Sequence, residues 1–491
     1  RELDIENPFI VPGSDLDTVK YYRNYDQITQ RTFDINLRKK LGLPVDGVDF
    51  INIDSYDYNT HSINYYDKNG KLHTINYGEN LFSIDMFSAD ELWNDGISSY
   101  TNYSGYDYKG NKLESRPSFE DFFTKTDENG DFTRDIGAYE PIYVAGYIQD
   151  KFAFRDLIFN VGLRVDRFDA NQMVLKDPYL LYEAYTANEV SEISGTPVEH
   201  PDNIGGDHVV YIDNINNPTR VVGYRSEGVW FNAAGDEILD PNVLDVGSGI
   251  SPYIVDPSIE RPTVDAFEDY EPQWNWMPRI SFSFPISDEA LFFAHYDVLT
   301  QRPRGNIFAN PSIYYFFDNV SGTINNPNLK PEQTIDYEVG FQQKLTNTSS
   351  LKLVAFYREQ RGMLQIFRFN GAYPKDYTSF NNIDFGTVKG FTIQYDLRRT
   401  GNVALQAFYT LQFADATGSS ETTTAALVAS GLPNLRSTFP IEDDRRHNFN
   451  VFLDFRWADG ADYNGPVTRR EGSGKPPIQW LKNTGFSVTM T

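Results

Sequence analysis

The sequence predicts an all-β protein, namely a transmembrane antiparallel β-barrel with long extracellular loops. Three observations predict this fold: strands that alternate apolar and polar residues, strands of roughly ten residues or more, and connections that are short and long in turn. Alternation alone is weak evidence because soluble sandwiches also alternate. Globular strands, however, average about five or six residues, whereas a strand that crosses a bilayer needs about 9–11.

The clearest strand lies in the stretch NPNLKPEQTIDYEVGFQQKL, from Asn326 to Leu345. A polar opening with two prolines leads into a period of two, which is the period of a β-strand. The apolar row and the polar row are Ile335, Tyr337, Val339 and Phe341 against Asp336, Glu338, Gly340 and Gln342.

The same alternation recurs on both sides of this stretch, in YVAGYIQDKF, LIFNVGLRVDRF, PRISFSFPI, ALFFAHYD, LKLVAFYRE, KGFTIQYDLRR, NVALQAFYTLQF, HNFNVFLDFRW and GFSVTMT. Their apolar rows include Leu157/Phe159/Val161/Leu163/Val165, Ile280/Phe282/Phe284, Ala290/Phe292/Ala294/Tyr296 and Phe391/Ile393/Tyr395/Leu397. About a dozen strands are recognisable in this way.

The connections separate by length. Short turns join the members of successive strand pairs, whereas long loops are predicted at residues 169–275, 299–332 and 415–444, and a further long link is predicted after LKLVAFYRE, up to Asp384. A transmembrane barrel has short periplasmic turns and long extracellular loops, and we therefore expect ligand selectivity to lie in the long loops. The segment Trp457–Asn483 should be an ordered or semi-ordered periplasmic excursion without a spanning strand.

The first part of the chain is less regular. We expect barrel strands near Thr18–Leu41, and loop hairpins between about residues 50 and 130, with turns at Asp67–Lys71 and Asp107–Lys112. On this interpretation residues 1–491 belong to one barrel, with N-terminal strands and hairpins in 1–140 and the remaining strands and long loops in 141–491.

Composition excludes several functions. The formal net charge of −26 disfavours nucleic acid as a partner. The absence of cysteine excludes disulfides, thiolate metal sites and thiol nucleophiles. The sequence contains no run of 18 apolar residues, so no transmembrane helix is predicted.

The stretch NPNLKPEQTIDYEVGFQQKL resembles the NPxLKPE…YExG signature of TonB-dependent outer-membrane receptors, and AGYIQDKF and FNVGLRVDRFD are similar to other parts of those barrels. PRISFSFPISDEALFFAHYDVLTQRP and YPKDYTSFNNIDFGTVKGFTIQYDLRR resemble the Oar-like subgroup. The resemblance implies a large barrel with a plugged lumen, of about 22 strands, in the outer membrane of a Gram-negative bacterium. It also implies energised uptake of an unidentified ligand.

The expected partners are the lipid bilayer, the TonB complex through a segment outside this sequence, and a surface lipoprotein or other envelope complex. No plug or TonB box is recognisable. We therefore expect a plug domain before Arg1, further strands beyond Thr491 and, in isolation, no gated uptake by residues 1–491.

No catalytic, cofactor or metal site is predicted, the protein is not expected to be an enzyme, and the substrate-binding residues are unknown. Six histidines are interpreted as structural: His61, His73, His200, His208, His295 and His447. GSGK at 472–475 lacks the spacing of a phosphate loop, GSG at 247–249 is interpreted as a flexible loop, and IEDDRR at 441–446 as a strand-end charge network. DENGDFTRD at 127–135 is interpreted as a solvated turn, with a calcium-stabilised loop as the alternative.

Charged residues on the polar rows are expected to face the lumen, where they line a water-filled wall or, as the alternative, form salt bridges with a plug: Arg164, Arg279, Asp396, Arg398, Asp454 and Arg456. Tyr143 and Trp457 suit an interfacial aromatic girdle. The alternative function is a soluble, secreted β-rich adhesin that binds glycans on exposed aromatics such as YYFFDN at 314–319. A glycoside hydrolase receives almost no support, because any acidic pair can be found in so acidic a chain.

Overall fold

A computed structural model describes residues 9–10, 19–20, 25–27, 29–468 and 476–491. Its main feature is one antiparallel sheet, here called the wall sheet. Its ten principal strands are β1 (Ile142–Phe154), β2 (Leu157–Asp169), β3 (Gln273–Ser287), β4 (Ala290–Gln301), β5 (Glu332–Thr346), β6 (Ser349–Phe369), β7 (Tyr377–Thr400), β8 (Val403–Ala416), β9 (His447–Arg456) and β10 (Gly485–Met490).

The wall sheet is a continuous meander, since each strand pairs with the strands before and after it in the chain. The register joins the predicted apolar rows on one face. One such row crosses seven strands through cross-strand pairs, from Phe159 through Phe282, Ala294, Val339, Ala355 and Phe391 to Leu411. A one-residue slip in any strand would move its row to the opposite face, so the alternation in the sequence specifies this register.

The apolar face is left open to its surroundings. Ile148 is 75% exposed, Phe449 52% and Val339 49%. Exposed apolar area that continues across a whole sheet is unusual for a soluble monomer, but it is the expected outer surface of a membrane barrel.

The two ends of the wall sheet differ in connection length. Two-residue turns at one end join β1 to β2, β3 to β4, β5 to β6 and β7 to β8. At the other end, loops 170–272, 302–331 and 417–446 connect β2 to β3, β4 to β5 and β8 to β9. The predicted long link between β6 and β7 is instead an extension of the strands themselves, which run for 21 and 24 residues and leave only residues 370–376 as a tip.

The long loops carry structure of their own. Loop 170–272 contains a five-stranded sheet made of Glu237–Ile238, Val229–Asn232, Val221–Ser226, Val209–Ile212 and Ser251–Pro252, in that spatial order. It also contains two small pairs, Met173–Leu175 with Phe267–Asp269 and Glu192–Ile193 with Thr196–Pro197. The other loops hold the helices Pro311–Tyr315 and Ala425–Ala429, and Phe439–Pro440 pairs with the end of β8.

The barrel strands expected near Thr18–Leu41 are not formed where the structure describes this stretch, apart from the short pair Phe9–Ile10 with Val19–Lys20. Thr32–Leu41 is an α-helix. Leu37 and Leu41 lie one helical turn apart on its buried side, and Gly42 ends the helix in the left-handed conformation with φ 69°. The prediction was wrong because the apolar residues here follow the helical period and not the period of two.

Residues 29–139 form a small body, here called the N-terminal module. The predicted hairpins are present as the sheet Phe50–Asp57, Ser62–Tyr66 and Leu72–Asn76, together with turns at Asp67–Lys71 and Asp107–Lys112. Two short helices, Ala89–Trp93 and Asp121–Thr124, follow. The module leads into the start of β1, which pairs with the end of β2. It therefore lies at the long-loop end and contributes no wall strand.

The segment after β9 lies at the opposite end, because the Arg456 amide donates to the carbonyl of Asn402 in the β7–β8 turn. Its described residues form the short 3-10 helix Gly460–Asp462 and the short pair Val467–Thr468 with Ile478–Gln479, and they include no strand long enough to span a bilayer. Within the described ranges, no helix combines the length and hydropathy that a membrane span requires.

Candidate functional site

The loops at the long-loop end pack into a single body, here called the cap. It comprises the N-terminal module, loops 170–272, 302–331 and 417–446, and the upper part of the β6–β7 hairpin. Its largest core joins two loops and the hairpin through buried residues that include Leu181, Tyr211, Trp230, Tyr314, Phe317, Phe369 and Tyr377. The loops are thus held against the hairpin by apolar burial, and the cap is a folded unit.

Arg134 attaches the N-terminal module to loop 302–331. Its guanidinium is fully buried and makes two bonds to the Asp90 carboxylate, at 2.6 and 3.1 Å. The cation lies 4.2 Å from the ring centres of both Phe132 and Tyr315. Because Tyr315 belongs to the loop and the other partners to the module, this cation connects the two.

A second buried arginine organises loop 170–272. Arg225 donates to the hydroxyl of Tyr211 at 3.0 Å and pairs with Asp177, and its cation lies 4.9 Å from the ring of Tyr179. Burial raises the pKa of the Tyr211 hydroxyl to about 12, so this tyrosine is neutral at physiological pH.

The NPNLKPE stretch binds the cap to the wall. The Asn326 amide donates to the Phe380 carbonyl at 2.8 Å. Lys330 and Asn382 exchange two bonds of 2.8 Å, one in each direction. Asparagine is well suited to such bridges because its amide both donates and accepts.

Two further contacts also hold the NPNLKPE stretch in place. Leu329 is fully buried, and its carbonyl accepts a bond from the Tyr270 hydroxyl at 3.1 Å. Glu332 accepts a bond from the Leu364 amide at 2.9 Å. The motif therefore fixes the start of β5 to the hairpin and to the end of loop 170–272.

The polar face of the wall sheet carries charges in register. Arg279, Asp297, Asp336 and Arg358 are successive cross-strand neighbours, with ion pairs of 2.8 Å between the first two and 3.0 Å between the last two. The two carboxylates, of Asp297 and Asp336, are cross-strand neighbours at the centre of the row and would repel each other. Each is paired with one of the two arginines, which offsets this repulsion.

The register places all six predicted inward-facing charges on this polar face. Four of them form ion pairs there: Arg164 with Asp166, Arg279 with Asp297, and Arg456 with Asp454. Contact with a plug remains a prediction.

The assignment of Tyr143 to the lipid girdle was wrong. Tyr143 is the cross-strand partner of Phe168, on the same face as Arg164 and Asp166, and its hydroxyl bonds to both of those charged groups. Trp457 follows the apolar side of β9 and stacks with Phe455 at 6.2 Å; its place in an interfacial girdle stays a prediction.

Two cavities open near the junction of cap and wall. One of about 380 Å³ lies between the N-terminal module and the loops, and its lining includes Arg116, Phe119, Tyr139, Gln172 and Phe308. The other, of about 500 Å³, lies at the upper rim of the polar face, and its lining includes Arg302 and Arg304.

The wall sheet and its loops account for a match along nearly the whole sequence. Residues 6–489 match the family described as TonB dependent receptor-like, beta-barrel. The chain belongs to the TonB-dependent receptor β-barrel family. This family consists of receptors and not of enzymes, and its β-barrel is the fold of this chain.

Solved structures of receptors show low similarity to this TonB-dependent receptor chain. The FrpB iron transporter from Neisseria meningitidis (F3-3 variant) is 10% identical, with 65% of this chain and 30% of that chain covered and a TM-score of 0.31. For the alcaligin outer-membrane receptor FauA from Bordetella pertussis the values are 13%, 66%, 35% and 0.32. For a double mutant of the Serratia marcescens hemophore receptor HasR, in complex with hemophore HasA and heme, they are 12%, 64%, 41% and 0.34.

The chain thus spans between 30% and 41% of the length of these three neighbours. No curated protein sequence matches it.

The six histidines of this receptor chain are spread over the module, the cap and the wall. His73 pairs with Asp67 at 2.9 Å, His200 lies 2.9 Å from the Tyr224 hydroxyl, and His447 lies 2.9 Å from the Tyr409 hydroxyl. Among the described residues, no group of three His, Asp or Glu side chains is placed to hold a metal ion.

The remaining sequence motifs are turns. Asp245 accepts bonds from the amides of Gly247 and Gly249, and Asp127 does the same for Asn129 and Asp131. In IEDDRR, Asp444 links the Ala414 amide to Arg446, which is the predicted charge network. The stretch GSGK lies outside the described residues.

The aromatic stretch YYFFDN does not offer a sugar-binding platform. Tyr314, Phe316 and Phe317 are almost fully buried in the cap and its contact with the N-terminal module. Burial strongly raises the pKa of Tyr314. Sequence reasoning took these rings for exposed loop aromatics because a loop core has no periodicity to reveal it.

Proposed function

We propose that this chain forms the wall and the extracellular cap of an outer-membrane receptor that takes up a ligand with energy supplied through TonB. The observation that carries the proposal is the wall sheet, which has one continuous exposed apolar face and has its three longest loops, 170–272, 302–331 and 417–446, at one end. These are the properties of a barrel that separates an outside from a periplasm.

The cap is proposed to select the ligand and the polar face to line its route. The cap is built on the loops that alternate with short turns, and it stands above the charged rows of the wall. The proposed partners are the outer-membrane bilayer, a TonB complex reached through another segment of the protein, and a surface lipoprotein or other envelope complex.

A secreted glycan-binding protein is the weaker candidate. It would have to cover the exposed apolar row on β1, where Ile148 and Phe152 are 75% and 47% exposed, and its aromatic platform at 314–319 is buried. A lipid surface covers such a face at no cost in apolar exposure.

Uptake is tested by comparing growth of a receptor deletion strain with that of a strain lacking TonB on an array of single nutrient sources. Every growth defect of the receptor deletion should be shared by the TonB deletion and corrected by restoring the receptor gene. A nutrient on which only the receptor deletion fails would contradict TonB-coupled uptake.

A further inference from the structure

The cavity of about 500 Å³ at the upper rim of the polar face is lined from five successive strands or their ends. Tyr143 of β1, Asp166 of β2, Asn275 of β3, Thr300 and Gln301 of β4 and Pro331 before β5 all contribute. Phe168 of β2 and two arginines at the start of loop 302–331, Arg302 and Arg304, complete its lining. It is therefore a site of both wall and cap.

These two arginines differ from most of those on the wall. Arg302 and Arg304 are exposed, and among the described residues neither forms an ion pair or a side-chain hydrogen bond with another residue. Arg302 is positioned only by the ring of Tyr143, 5.4 Å from its cation. Its guanidinium donors therefore remain available to a ligand.

The surroundings do not neutralise them. Asp166 is the one carboxylate among the residues that line the cavity, and its oxygens are engaged by Arg164 at 2.7 Å and by the Tyr143 hydroxyl. The site is thus locally cationic in a chain of net charge −26. The side chains of Asn275 and Gln301 add neutral hydrogen-bonding groups.

We infer that this rim cavity is a binding subsite for an anionic solute that carries carboxylate or phosphate groups. Planar guanidinium groups bind such oxygens in pairs, and two of them two residues apart can engage two anionic groups of one molecule. The inference deepens the proposed uptake function and rests on it for its biological meaning.

The site faces the polar side of the wall. Asp166 and Asn275 share the register of the charged rows, and the apolar face lies on the opposite side of the sheet. An anion dissolved in water can reach it, whereas the phosphates of a membrane lipid would have to cross the wall. The ligand is therefore a soluble anion and not a lipid headgroup.

The test uses the purified full-length receptor in detergent, with pyrophosphate and citrate as anionic probes and maltotriose as a neutral probe, all followed by calorimetry. Arg302→Gln and Arg304→Gln should each weaken anion binding by roughly fivefold, and the double variant by about 25-fold, because each removes a charge-assisted contact at an exposed, screened site. Arg304→Lys should retain part of the binding because it keeps the charge.

Arg220→Gln is the matched control, since Arg220 is an exposed arginine of the cap away from the cavity; it should bind the anions as the native protein does. Heat-modifiable mobility on gels confirms that each variant is folded. Native protein that binds neither anion at millimolar concentration, or a double variant that binds them as the native protein does, would overturn the inference. Lipopolysaccharide serves as the probe for a lipid headgroup. A double variant that loses binding of lipopolysaccharide but binds pyrophosphate as the native protein does would also overturn the inference. Because binding is measured without transport, these failures are distinct from a failure of TonB-coupled uptake.

Discussion

Val339 and Glu338 offer a direct test of which face of the wall sheet meets lipid. They are adjacent in β5, so they lie at nearly the same depth but on opposite faces. Val339 is at the centre of the 15-residue strand, with seven residues on each side, which places it near the midplane of a bilayer. The perturbation is arginine at either position.

The expected magnitudes differ. Val339→Arg should destabilise the inserted protein by about 2–4 kcal/mol, the cost of a cation at the midplane on the lipid side. Little packing is lost, because Val339 is 49% exposed within the protein itself. Glu338→Arg should change stability by about 0.5 kcal/mol or less, because an open polar surface hydrates the new charge; its cross-strand neighbours are His295 and Phe356.

The assay is urea-induced unfolding of the full-length receptor in lipid vesicles, followed by heat-modifiable mobility. The same variants in detergent-extracted outer membranes report the fraction inserted. Equal losses for the two variants, or a larger loss for Glu338→Arg, would refute the assignment of the apolar face to lipid.

Three further predictions concern the two ends and the cap. Single cysteines at three exposed long-loop positions should react with an impermeant reagent on intact cells: Asn217, Ser321 and Ser419. Single cysteines at three exposed short-turn positions should not react: Ser287, Asn347 and Gly401. The reverse labelling pattern would invert the topology. Arg134→Met should weaken docking of the N-terminal module by about 2–3 kcal/mol, which is less than the loss for a fully buried pair because Asp90 is 43% exposed and can be hydrated. Limited proteolysis before β1 measures this docking, with Lys112→Met as the control. Equal cleavage of both variants would show that Arg134 does not hold the module to the loop. Burial raises the pKa of Tyr211 to about 12, against an ordinary value of about 10, so its stabilising effect is complete below pH 10 and is lost between pH 10 and 12, because the unfolded chain releases this proton first. The absorbance of ionised tyrosine should therefore rise together with proteolysis of the cap. A cap that stays resistant to protease above pH 12 would contradict this.

The wall could be predicted from the sequence because its pattern is local. A period of two over ten or more residues specifies both the strand and the side of the sheet on which each residue lies, as in Ile335 to Phe341. Strand ends were less visible where polar strands continue beyond the apolar row. The hairpin of β6 and β7 was therefore taken for a loop.

The cap could not be predicted, because its contacts join residues that are distant in sequence. Arg134 meets Tyr315 across the module boundary, and Arg225 meets Asp177 across a loop. Neither arginine differs in its local pattern from an exposed one. The same holds for Arg302 and Arg304, whose spacing around a proline in QRPRGN was a visible signal, although its significance depends on the cavity.

The hairpin of β6 and β7 has a mechanical consequence for the cell surface. If about ten residues of each strand cross the bilayer, some eleven or more continue beyond it, and at about 3.3 Å per residue with the tilt of a barrel strand they rise roughly 25–30 Å. The cap core packs against this part of the hairpin, so the hairpin supports the loops at this height. In the proposed orientation, the cap therefore holds its loops well clear of the headgroups from which the wall emerges, and a solute meets the cap before it reaches the bilayer.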